Sequence, residues 1–102
     1  MEGEDELEIL WQGHSVGFLQ NLIPDMWYLE GNWVSNSSKE AEAFESAART
    51  LDAKAAFNNL QKGIEVSLKE KEQNANPTLG VIISLTEGNV LFLRRIAISY
   101  NK

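Results

Sequence analysis

The chain has 102 residues, 43% hydrophobic and 24% charged, a composition that fits one globular domain spanning 1–102 and leaves no room for two cores. With no cysteine and one histidine, disulfide frameworks, thiol nucleophiles and any site needing two imidazoles are excluded. The formal net charge is −6, yet Glu2, Glu4, Asp5, Glu6 and Glu8 supply five of the acids, and from Ile9 onward 9 basic residues face 10 acidic ones.

Residues 1–6 therefore read as an acidic leader on a nearly neutral domain. Leu7 to Gln12 reads as a first strand, with Leu7, Ile9 and Trp11 on one face at period two. Gly13-His14 is a short polar turn. Ser15 to Ile23 forms a second strand, with Val16, Phe18 and Leu22 on one face and Leu19 and Ile23 on the other. Pro24-Asp25 should end it, because proline donates nothing to a ladder and favours a turn. Met26 to Val34 follows as a third strand, with Trp27, Leu29 and Trp33 opposite Met26, Tyr28 and Val34. Gly31 inside it marks a bulge or a close backbone approach.

Ser37 and Glu40 have the spacing of a capping box, which opens a helix carrying Ala41, Phe44, Ala48 and Leu51 on one stripe. Glu45 and Arg49 are spaced to pair on its outer side. The apolar phase then shifts to Ala53, Ala56, Phe57 and Leu60, which predicts a break near Thr50–Asp52 with Asp52 as a second cap, or else one bent helix. Gly63 stops the helical region. Ile64 to Lys69 alternates cleanly as a strand, and Glu70 to Pro77 reads as a polar loop. Thr78 to Thr86 and Val90 to Ser99 are two more strands, joined at Glu87-Gly88-Asn89, where glycine can take a positive φ. Both are apolar on both faces, so both should be central or covered on each side.

The order is β-β-β-α-α-β-β-β. Runs of strands flanking helices indicate an α+β fold, here a mostly antiparallel five- or six-stranded sheet with one or two helices packed on one face.

No basic stripe is present to release counterions from phosphates, which weighs against nucleic acid and against anionic membrane surfaces. No run approaches the ~20 apolar residues of a membrane span, and the acidic start is unlike a signal peptide, so the expected location is the cytoplasm. The leader reads as a solvated terminus that aids solubility, as short terminal charge blocks commonly are, in preference to docking on a basic partner or mimicking a nucleic acid. His14 has no nucleophile and acid arranged around it. Asp25 and Glu30 would lie about 17 Å apart in a regular strand, beyond either separation a glycosidase uses. No phosphate-cradling loop, alternating aspartate loop or cofactor motif occurs, so no catalytic residue, metal or cofactor is expected.

Two features stand out. Arg94 and Arg95, in tandem inside an apolar strand, must face opposite sides, so one should meet an anionic ligand or an internal carboxylate such as Glu8, Glu30 or Glu65, unless its stem reaches water. The second is the aromatic concentration Trp11, Trp27, Tyr28 and Trp33. Trp11 and Trp33 share register with core residues, whereas Asp25, Met26, Trp27 and Tyr28 form a turn suited to a protein partner.

The segment Gly17 to Phe44 resembles a group of small uncharacterised bacterial α+β proteins, through Val16-Gly17-Phe18-Leu19, Asp25-Met26-Trp27, Glu30-Gly31-Asn32-Trp33 and Ala43-Phe44. The resemblance implies a compact domain and carries over no catalytic residue. The expected function is a non-enzymatic protein-interaction domain, a small bacterial adaptor or an inhibitor of immunity type, with Asp25, Met26, Trp27 and Tyr28 at the interface. The alternative is a module that binds a small anionic ligand through Arg94 or Arg95. A homodimer that completes an enzyme site between its subunits is the third reading.

Overall fold

The computed structural model describes residues 6–70 and 77–96. Most of the leader, the centre of the 70–77 loop and the expected end of the last strand lie outside the described residues.

Six strands, β1 (Glu6–Trp11), β2 (His14–Asp25), β3 (Tyr28–Ser35), β4 (Ile64–Glu70), β5 (Thr78–Leu85) and β6 (Val90–Ile96), form a closed antiparallel barrel in the order β1-β2-β3-β6-β5-β4. Between β3 and β4 run α1 (Lys39–Arg49), α2 (Ala53–Asn58) and a 3-10 turn, Leu60–Lys62. This overturns the α+β expectation of a sheet with helices on one face: the protein is mostly β, and the sheet has no free edge. Closure comes from β1 pairing with β4, Leu7 with Glu70 and Ile9 with Leu68. The inward residues of each strand then bury one another across the lumen, so no helical layer is needed to cover them.

Three irregularities bend the sheet far enough to close. Val16 is an extra residue opposite Ile9 and Leu10, Asn21-Leu22 oppose Gly31, and Ile83 is extra opposite Leu93 and Phe92. A Cβ on Gly31 would lie 2.7 Å from the Gln20 carbonyl oxygen, so the glycine read as a close approach does bring β3 against the bulged stretch of β2. The Asn21 bulge also moves Ile23 to the outer face, where it is exposed.

The turns differ by a residue or two from the sequence reading. Gln12 and Gly13, both at positive φ, make the first two-residue hairpin loop, and His14 already pairs with Trp11. β2 runs through Pro24 to Asp25, because its missing N–H lies on a stretch that pairs with β3 alone among the described residues. The turn falls instead at Met26-Trp27. In the last hairpin Asn89, not Gly88, takes the positive φ, at 60°.

The lumen is filled by Leu7, Ile9, Leu19, Leu29, Leu68, Ile82, Leu91 and Leu93, all at most 5% exposed. The stripe Ala41, Phe44 and Ala48 of α1 belongs to the same core, and the Phe44 ring lies 5.8 Å from Trp11 and 5.2 Å from Trp33 between centroids. Helix α1 thus caps the end of the barrel at which β1, β3 and β5 finish. Its N-cap is Ser38, whose hydroxyl accepts from the Ala41 N–H, one residue beyond the expected Ser37. Asp52 caps α2 as its spacing suggests, and the break falls between them. Helix α2 instead packs on the outside of β5, where its Ala56 and the β5 residues Val81 and Ile83 are buried apart from the lumen cluster. That is how β5 can be apolar on both faces: one face looks into the lumen and the other is covered by α2.

Candidate functional site

Pairing registers set a row of side chains across the outside of the barrel. Asp25 of β2 faces Tyr28 of β3, Tyr28 faces Arg94 of β6, Arg94 faces Val81 of β5, and Val81 faces Glu65 of β4. The Asp25–Tyr28 turn and Arg94, read from the sequence as two separate candidates, therefore meet at Tyr28. Met26 and Trp27 form the loop at the end of this row, 86% and 50% exposed.

Arg95 does not join them. It pairs with Gly80, a position that points at the core residue Leu68, so Arg95 follows the inward phase of β6 and Arg94 the outward one. Alternation in the strand separates the two guanidinium groups, and they do not make a common site. The Arg95 backbone N–H donates to the Trp27 carbonyl at 2.6 Å, extending the β3–β6 pairing into the hairpin loop.

Around Tyr28 the outer row gains two rings. Phe57 of α2 stacks on it at 5.3 Å between centroids and 20° between planes, and Phe92 of β6 at 5.5 Å and 5°. The Arg94 guanidinium carbon lies 5.8 Å from the Tyr28 ring centroid, within cation–π range. Phe57 and Phe92 were missed as site residues. Phe57 read as part of a buried helix stripe, but the break before α2 rotates that stripe so that only Ala56 faces β5 and Phe57 is 50% exposed. Phe92 carried no local signal, since its role comes from lying two residues before Arg94, opposite Glu30.

Among the described residues Arg94 and Arg95 make no ion pair with Glu8, Glu30, Glu65 or any other carboxylate. Arg94 Nε is cut off from water with no hydrogen-bond partner, whereas Nη1 and Nη2 keep their access to solvent. Glu30, diagonal to Arg94 across the β3–β6 ladder, stands about 7 Å away at the Cβ atoms. Beside the row, a hollow of about 480 Å³ opens between the 3-10 turn and the outer face of β4–β6, lined by Leu60, Leu79, Val81 and Ile96 together with the polar Gln61 and Glu65.

Other candidates are unassembled. His14 is exposed at the barrel rim, and its imidazole makes no hydrogen bond or ion pair with the described residues. No three acidic or imidazole groups among the described residues are placed to hold a metal ion. No described helix is long and apolar enough to cross a membrane.

Comparison with protein-family models, curated proteins and solved structures finds no match to this chain.

Proposed function

We propose that this chain is a non-enzymatic protein-interaction domain, an adaptor or an inhibitor of immunity type, and that it engages its partner with the β2–β3 tip. One observation carries this reading. Of the five exposed large hydrophobic residues among those described, Ile23, Met26 and Trp27 lie at this tip and Phe57 stacks on Tyr28 beside it. Scattered apolar residues on a surface need no explanation, whereas a cluster marks a contact face. Tryptophan and tyrosine are also the residues that most often dominate binding energy.

The backbone supports the same reading. Met26 holds φ at 59°, in a position that glycine ordinarily fills in tight hairpins. A side chain there costs about 1 kcal/mol, and the result is a long flexible thioether held out in water. Nothing inside the barrel gains from that arrangement, but an interface would.

The test is capture from native lysate with the tagged chain, run in parallel with Met26→Ser and Trp27→Ala. The expected result is one stoichiometric protein held by the natural chain and lost from both variants. Identical captures from all three chains would overturn the reading.

A further inference from the structure

We propose that Arg94 receives a carboxylate of the protein partner end-on, through Nη1 and Nη2, with the apolar group next to that carboxylate lying against Phe57 or in the hollow beside Val81. The proposal rests on the interaction reading above and adds to it the chemistry of the partner.

An arginine in the middle of a strand normally pairs, because its five donors are costly to leave unused away from water. The Arg94 side chain has no hydrogen-bond or ion-pair partner among the described residues, and it is not left to wave in solvent either. Its guanidinium carbon lies within cation–π range of the Tyr28 ring, on which Phe57 and Phe92 also stack. Rings of this kind fix the plane of the fork without using a donor. With Nε sealed off, a side-on approach using Nε and one Nη is closed. The two terminal nitrogens remain, and they match the two oxygens of one carboxylate.

The surroundings choose the rest of the ligand. Phe57 is half exposed, and the hollow begins at Val81, the cross-strand neighbour of Arg94. A carboxylate attached to an apolar residue satisfies both, as an acidic side chain flanked by a hydrophobic one or a chain terminus does. Three carboxylates share the face and oppose the incoming charge: Glu30, diagonal to Arg94 and the nearest by register, and Asp25 and Glu65, each one strand further along the row.

The probe is N-acetylphenylalanine, which joins a free carboxylate to an apolar ring, compared with N-acetylphenylalanine amide and with inorganic phosphate. Nuclear magnetic resonance on the full chain reads Arg94 Nε–H and the Tyr28 and Phe57 rings. Expected are saturable shifts with the acid at a concentration about tenfold below that of the amide. Phosphate should shift Arg94 and leave the Phe57 ring unmoved. Arg94→Lys keeps the charge and the stem, so the barrel should stay folded, but it removes the fork and should erase the preference for acid over amide. Glu30→Gln should strengthen binding of the acid. Equal response to acid and amide, or a preference that survives in Arg94→Lys, overturns the proposal. In the lysate experiment, a partner lost with Trp27→Ala but retained by Arg94→Lys leaves the interaction reading standing and removes this one alone.

Discussion

Trp33 donates its indole N–H to the Glu45 carboxylate at 2.7 Å, which ties the capping helix α1 to the wall of the barrel. The indole is 4% exposed and packs on Phe44 of the same helix, so one tryptophan supplies both the apolar and the polar contact. Arg49, which by spacing would pair with Glu45, instead donates to the Thr86 carbonyl at 2.8 Å and to Asn89 Oδ1 at 2.6 Å. The two ends of one potential helix salt bridge thus anchor α1 to β3 and to the last hairpin. Removing the acceptor should leave the Trp33 N–H buried and unpaired. Glu45→Ala is expected to cost about 1–3 kcal/mol in urea denaturation, and Glu45→Gln, which keeps an acceptor, should recover most of it.

Phe44 is fully buried and faces both Trp11 and Trp33. Phe44→Ala should open a cavity under α1 and destabilise the fold by about 3–5 kcal/mol. A loss below about 1 kcal/mol would mean that α1 is not part of the core.

Gly17 faces inward where β2 crosses β3. A Cβ there would lie 2.3 Å from the Val34 carbonyl oxygen and 2.7 Å from Cη2 of Trp33. Backbone cannot yield as a flexible side chain can. Gly17→Ala should therefore lower stability by about 1–3 kcal/mol or more, and it should broaden the Trp33 indole resonance.

The position of the cap can be tested directly. Ser38→Ala should cost about 1 kcal/mol, while Ser37→Ala, whose φ of 67° places it outside the helix, should cost a few tenths at most. Equal effects would return the cap to the Ser37 box.

Phe57 contributes one of two stacks on Tyr28 while half of it remains in water. Phe57→Ala should cost the fold only about 0.5–1.5 kcal/mol. Its effect on partner capture should be larger, since an exposed aromatic gains more from an interface than from its present contact.

What the residues announce by themselves is local. Period-two alternation marks the strands, the break before Asp52 separates the two helices, and proline and glycine stand near the turns, because each depends on residues only a few positions apart. Even there, the Asn21 bulge and the left-handed Met26 shift the β2–β3 turn past Pro24 and bring Trp27 into the loop. Closure was not legible. It requires Leu7 to find Glu70 and Ile9 to find Leu68, and an edge that pairs with its own sheet has the same alternation as one that a helix covers. The site has the same character. Arg94 and the Asp25–Tyr28 turn could be named singly, but their meeting is decided by the β3–β6 register, and Phe57 joins them because α2 lies outside the barrel. Side-chain alternation is a property of one strand. Which strands become neighbours is settled by how the whole chain buries its apolar faces, and that alone placed the Arg94 guanidinium beside the Tyr28 ring, on which Phe57 and Phe92 stack.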